Sequence, residues 1–185
     1  MDPPAITRHR RPFLAPVWLT LAGVLVIGAV AVAFYRSATT TVVLLVAPVE
    51  KAPGTIDDPP LSPEGEQRAQ RLAQMFGDAS GAGRLDAIYV SDERRARQTA
   101  TPLAERLRRE PVVFSSRDAR AAAARALRDH RGETVLVIGS GATLSQMIEE
   151  LQGAGPVPMG QGASDVMFIV SVPSFGRAHL VRIGL

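Results

Sequence analysis

The chain opens on a run with no polar face. From Pro12 to Tyr35 no residue is charged, and the stretch VWLTLAGVLVIGAVAVAFY is apolar almost throughout. At about 1.5 Å per helical residue, about 20 such residues cross the hydrocarbon of a bilayer. A transmembrane helix over 13–35 is therefore expected, after a cytoplasmic N-terminus of residues 1–12. Past a polar linker, 36–40, the pattern changes. Short β-branched runs now alternate with amphipathic stretches, the signature of β-α-β units.

The run TVVLLVA (41–47) has the density of apolar residues of a buried strand, and the proline-rich stretch 48–61 that follows reads as a loop. Ser62-Pro63-Glu64 is a helix start, with serine as N-cap, proline in the first helical position and an acid in the first turn. That helix is expected to reach Phe76 with Leu72, Met75 and Phe76 on its apolar face, until GDASGAG breaks it. LDAIYV (85–90) is the second strand. Ser91-Asp92-Glu93 begins a helix that runs to about Arg109, VVF is a brief strand, and an alanine- and arginine-rich helix covers 117–130. TVLVIG (134–139) is the next strand and 142–151 the next helix. VMFIVSV (166–172) and AHLVRI (178–183) close the chain as a hairpin.

This order predicts an α/β domain over 41–185: a three-layer sandwich in which helices cover both faces of a mostly parallel sheet and the hairpin adds an antiparallel edge. In such sheets ligands sit beyond the carboxyl ends of the strands. Three turns meet that description, at 47–51, 91–95 and 139–143.

Composition narrows the reading. The formal net charge is +3, and Arg8, Arg10 and Arg11 against Asp2 supply +2 of it. The domain itself is nearly neutral, so nucleic acid is not an expected partner. With no cysteine, thiol catalysis and thiolate metal sites are excluded. The acids do not cluster with histidines at ligand spacing, so neither a metal nor a cofactor is expected. Arg-His-Arg-Arg before the apolar run, against Arg36 alone immediately after it, places the N-terminus in the cytoplasm and the domain outside the cytoplasmic membrane. Two processing readings stand together: an uncleaved signal anchor, or a signal peptide cleaved at Ala31-Val32-Ala33 and a secreted domain.

The three turns resemble those of the histidine phosphatase superfamily, also called phosphoglycerate-mutase-like, over roughly residues 41 to 185. The family's first strand ends in Arg-His-Ala/Gly-Glu-Lys; here TVVLLV runs into Ala47-Pro48-Val49-Glu50-Lys51. A D-x-P-L-S/T-x-x-G loop matches Asp58-Pro59-Pro60-Leu61-Ser62-Pro63-Glu64-Gly65. The signature I-Y-x-S followed by R-x-x-Q-T-A matches Ile88-Tyr89-Val90-Ser91, then Arg95-Ala96-Arg97-Gln98-Thr99-Ala100. The later V-L-V-V-G-H-S-N-T appears as Val135 to Thr143.

In that family the first histidine attacks phosphorus, two arginines and a second histidine hold the phosphate oxygens, and an acid protonates the leaving group. By the resemblance, the first arginine's place here is taken by Ala47, the nucleophile's by Pro48 and the second histidine's by Ser140. Arg95 keeps the second arginine's place, and Asp165 matches a family acid. Proline has no side-chain nucleophile, which covalent catalysis requires. Of the three histidines, His9 precedes the apolar run, and His130 and His179 match no site position. Serine catalysis at Ser140 would need a partnered base, and the turn lacks both G-x-S-x-G spacing and the lysine of a P-loop.

What remains is a weak phosphate or carboxylate cradle: Gly139, Ser140, Gly141 and Thr143 at a helix N-terminus, with Arg95 adding a guanidinium. The alternative is that Gly139 serves a tight turn while Arg94, Arg95 and Arg97 form one solvated helix face. The expectation is a membrane-anchored pseudoenzyme that binds a phosphorylated or anionic ligand or a protein partner. The competing readings are an active phosphomonoesterase with displaced catalytic residues and a structural envelope ectodomain.

Overall fold

A computed structural model of the chain describes residues 14–37, 39–47, 58–77, 84–153, 155 and 166–184. The chain divides into two compact units, residues 1–38 and 39–185. The first contains helix α1, Leu14–Ser37. Its side chains from Trp18 to Ala33 are all exposed, Trp18 and Ile27 among them. Among the described residues no helix is long and apolar enough to cross a membrane. The expected N-terminal 1–12 segment lies outside the described residues.

The second unit holds strands β1 (Thr40–Val46), β2 (Ala87–Ser91), β3 (Val112–Phe114), β4 (Thr134–Ile138), β5 (Val166–Pro173) and β6 (His179–Gly184). Between them lie helices α2 (Pro63–Gly77), α3 (Arg94–Leu107), α4 (Ala119–Asp129) and α5 (Gly141–Gln152). The six strands form one sheet in the order β3-β2-β4-β1-β5-β6. The first four are parallel to one another, and β5 and β6 run antiparallel at one edge.

Period-two alternation divides the core into two. Val43, Leu45, Val135, Val137 and Tyr89 point to one face and pack with Ala122, Ala123, Ala126, Leu144, Met147 and Ile148 from α4 and α5. Leu44, Val46, Ile88, Val90, Leu136 and Ile138 point to the other and meet Leu72, Phe76, Ala100 and Leu103 from α2 and α3. The sheet is thus the middle of three layers.

Local signals set the helix ends. The Ser62 hydroxyl accepts the Gly65 N–H at 3.1 Å, satisfying one of the N–H groups that the first turn leaves open. Helix α3 ends on Arg108 at φ 51°, in the left-handed region, and α5 on Gly153 at φ 60°. Three local expectations need correction. Met75 is 58% exposed; Ala69, Leu72, Ala73 and Phe76 form the buried face of α2, because the i, i+3, i+4, i+7 stripe is completed by alanines that a search for large side chains passes over. Ser91 is the last residue of β2, not the start of a helix. The helix expected from 117 begins as a 3-10 turn, Ser116–Asp118, before α4.

Leu136 and Met75 separate the two kinds of position. Leu136→Ala should destabilise the domain by about 2–5 kcal/mol through a cavity at the sheet centre, and Met75→Ala by no more than about 0.5 kcal/mol, as read by chemical denaturation.

Candidate functional site

Register brings the three turns together. Val46 pairs with Ile138, and Ile138 pairs with Val90, so β1, β4 and β2 end side by side at one pole of the sheet. One step beyond these pairs lie Ala47, Gly139 and Ser91. Gly139 N–H donates to the Val46 carbonyl at 3.3 Å. A Cβ on Gly139 would stand 3.2 Å from Thr143 Cγ2 and 3.6 Å from Ser91 Cβ. Close approach therefore favours glycine here, and the β4 and β2 turns touch. Ala47 is buried. Pro48, Glu50, Lys51 and Asp165 lie outside the described residues.

Helix α5 starts at this pole with its end open. Ser140 is its N-cap, in extended backbone, but makes no side-chain cap bond. Its hydroxyl lies instead 2.8 Å from the Thr143 hydroxyl, and its carbonyl accepts the Leu144 N–H at 2.8 Å. The first-turn N–H groups, with the positive end of the helix dipole, are left without a side-chain acceptor from the N-cap. Gly141, the first residue of α5, puts no side chain over them.

Helix α3 starts at the same pole with its end filled. The Asp58 carboxylate accepts the Arg94 N–H through Oδ1 at 3.0 Å and Oδ2 at 3.1 Å. Nearby, Gln98 Oε1 accepts the Leu61 N–H at 2.9 Å, so the 58–61 loop is held against α3 by two residues of the quoted motifs. Asp92 accepts the Ser116 N–H at 3.0 Å, and this bond holds the Asp92 carboxyl below the usual aspartate range, with Ser115 and Ser116 hydroxyls adding to it.

The three arginines of α3 differ. Arg94 and Arg97 are exposed, whereas Arg95 is half-buried. Arg95 Nε, Ser91 Oγ and Glu93 Oε2 are buried with no hydrogen-bond partner. Ser91 is wholly buried. Orphaned buried polar atoms are rare and costly, and three occur within five residues of chain, from the last residue of β2 into the first turn of α3. Sequence reasoning singled out Arg95 but missed Ser91 and Glu93; the serine of the quoted I-Y-x-S match was the available signal for the first.

The described histidines lie elsewhere. His130 caps α4, with Nδ1 2.7 Å from Glu133 Oε2 and its ring edge-on to Tyr89 at 5.8 Å. His179 opens β6 and pairs with Ser171. Both stand at the amino ends of the parallel strands, the pole opposite Gly139. Tyr89 is pushed above the ordinary phenol range by burial and, next, by the Asp129 charge. Among the described residues no group of three or more acids and histidines is placed to hold a metal ion.

The arrangement defines an α/β protein whose candidate ligand groups gather at the carboxyl ends of its parallel strands. Its family likeness is equally plain: the model of the histidine phosphatase superfamily (branch 1) matches residues 46–118, and the domain carries the histidine-phosphatase fold. The protein histidine phosphatase SixA complexed with tungstate is similar with a TM-score of 0.58 at 16% identity, covering 77% of this chain and 96% of that one. Phosphoglycerate mutase from Plasmodium falciparum gives 0.55 at 19%, covering 79% and 91%. A histidine-to-alanine mutant of phosphoserine phosphatase from Entamoeba histolytica, in complex with phosphoserine, gives 0.56 at 16%, covering 76% and 95%. No curated protein matches the chain.

Two measurements check the geometry at this pole. Asp58→Ala should cost about 0.5–2 kcal/mol by uncapping α3. Asp92, whose pKa is lower folded than unfolded, stabilises the domain at pH values above its unfolded pKa of about 3.9. That contribution is lost as pH falls through the lower folded pKa. An acid titration of Asp92→Asn should accordingly show less loss of stability below about pH 4 than the parent chain.

Proposed function

We propose that this protein is a membrane-anchored binding protein on a histidine-phosphatase fold, one that holds a phosphorylated or anionic ligand and does not hydrolyse it. The observation that carries the reading is the absence of imidazole, among the described residues, from the pole where the ligand groups gather. Proline stands at 48 and serine at 140, and His130 and His179 are at the other end of the sheet. The fold's phosphohistidine chemistry has no nucleophile to start from.

Binding has better support than catalysis. The α5 N-terminus receives no side-chain cap bond from Ser140, and Ser91 Oγ and Arg95 Nε are orphaned donors beside β2. Complexed with phosphoserine, the histidine-to-alanine Entamoeba mutant is a case of this fold holding a phosphorylated ligand with a histidine removed. A charge-assisted bond to phosphate contributes about 1.5–3 kcal/mol. Losing an arginine to Ala47 and a histidine to Ser140 therefore predicts weak affinity for inorganic phosphate, with a dissociation constant on the order of 1 mM.

Anchoring rests on the sequence. Residues 12–35 are free of charge and follow Arg-His-Arg-Arg, so the segment 13–35 acts as an uncleaved signal anchor, with the domain on the outer side of the cytoplasmic membrane.

Phosphate titration of the full chain, followed by NMR, should shift the amides of Gly139 to Thr143, and Arg95→Ala should weaken binding at least about tenfold. No shift there would favour a structural ectodomain. A phosphomonoesterase assay should show no turnover; turnover that Arg95→Ala abolishes would establish displaced catalytic residues and overturn the proposal. Restoring the set together, Ala47→Arg, Pro48→His and Ser140→His, should bring hydrolysis back if the scaffold retains its geometry.

A further inference from the structure

Three acids surround the start of α3, and two of them are engaged. Asp58 holds the Arg94 N–H through both oxygens, at 3.0 and 3.1 Å, and Asp92 holds the Ser116 N–H at 3.0 Å. Glu93 is the third. It is the N-cap of α3, in extended backbone, yet its side chain makes no cap bond; the Arg94 N–H is already taken by Asp58. Glu93 Oε2 is buried without a hydrogen-bond partner. A buried carboxylate oxygen is a costly orphan, since an ionised carboxylate can only accept and its charge goes unanswered.

Arg95, two residues on, does not answer it. Residues at i and i+2 of a helix do not face each other, and among the described residues neither Glu93 nor Arg95 has an ion-pair partner within 4.0 Å. A carboxylate oxygen lacking a donor and a guanidinium Nε lacking an acceptor thus stand within three residues of chain, unpaired.

Ser91 adds a third group and ties both to α5. It is wholly buried, and its Oγ has no partner. Tyr89 packs on the α4 and α5 face of the sheet, and Ser91, two residues further along β2, shares that face. A Cβ on Gly139 would meet both Thr143 Cγ2, at 3.2 Å, and Ser91 Cβ, at 3.6 Å. The Ser91 side chain therefore lies against the first turn of α5, which Ser140 leaves uncapped. From Ser91 to Glu93 is two residue steps, at most about 7 Å.

Unfilled groups of both signs set the ligand's chemistry. A bare anion satisfies Arg95, Ser91 and the α5 N-terminus, but it leaves Glu93 unpaired and brings a like charge towards it. A molecule that carries a cationic donor beside its anionic group completes the set. We infer that the ligand of this pole is a phosphate ester bearing a protonated amine, its phosphate taken by Arg95, Ser91 and the first turn of α5 and its ammonium by Glu93. The inference rests on the binding reading proposed above and makes Glu93 the residue that selects among anions.

Propyl phosphate and phosphoethanolamine test it, because they share one skeleton and differ in a methyl group against an ammonium. Each is titrated into the full chain, with the amides of Gly139 to Thr143 followed by NMR. Phosphoethanolamine should bind at least about tenfold tighter, the effect of one charge-assisted hydrogen bond. Glu93→Gln, which keeps the shape and removes the charge, should bring the two esters to one affinity. Glycerophosphoethanolamine distinguishes the source: equally tight binding of this diester assigns a lipid headgroup, and a preference confined to the monoester assigns a soluble ester, the amine recognition standing in both cases. If the parent chain binds propyl phosphate and phosphoethanolamine alike, or if the preference survives Glu93→Gln, the inference is overturned and anion binding is left standing. No shift at Gly139 to Thr143 with any of these esters or with inorganic phosphate would remove the binding reading and this inference with it.

Discussion

The central parallel triplet of strands is the constraint from which the rest follows. With Val46 opposite Ile138 and Ile138 opposite Val90, three chain segments separated by long stretches of sequence end at the same level. A shift of one residue in any of them would exchange the two core faces, moving Leu45 and Val137 out of contact with α4 and α5. The same shift would separate Gly139 from Ser91 and from the Val46 carbonyl. Packing thus fixes the geometry of the candidate site: the site cannot be displaced without unmaking both halves of the core.

This explains a feature of the chain that chemistry alone leaves puzzling. The positions that hold the pole together are kept: Gly139 under Thr143, Asp58 on the α3 N-terminus, and Gln98 on the 58–61 loop. At the positions that the sequence resemblance would assign to phosphorus chemistry stand Ala47, Pro48 and Ser140. Asp58 and Gln98 make structural hydrogen bonds in the folded chain and Gly139 a close contact. Arg95 and Ser91 differ, since Arg95 Nε and Ser91 Oγ are buried without a partner. A buried, unpaired guanidinium nitrogen is a cost to folding, and a ligand is the readiest source of its missing acceptor.

Much of this was legible in the chain. β-Branched runs gave the strands within a residue or two, and Ser62-Pro63 gave the start of α2, because strand burial and N-capping are local effects. The order of the sheet was legible only in part: alternation implied parallel units, but nothing local says that β4 lies between β1 and β2. The face of α2 was misread because Ala69 and Ala73 carry little hydrophobic signal, yet fill a close helix contact. Ser91 was misread for a related reason. Ser-Asp-Glu is a good helix-start pattern, and the pairing of Ser91 with Phe114, a long-range contact, is what draws it into the strand and buries its hydroxyl.

The two poles of the sheet are chemically distinct, and this distinction orders the functional argument. At the amino ends the polar groups near the chain entry are largely satisfied: His130 with Glu133, Thr39 with Ser174, Gly132 with Thr41. Such a surface is finished. At the carboxyl ends Ser91, Glu93 and Arg95 are unfinished, and α5 presents an uncapped turn. Unfilled hydrogen-bonding capacity in a buried setting discriminates strongly between ligands, because a ligand lacking the matching group leaves the orphan unpaired. The Glu93 carboxylate oxygen among these groups lacks a donor, so on the binding reading proposed above a ligand that presents a donor beside its anionic group would satisfy the pole more completely than phosphate.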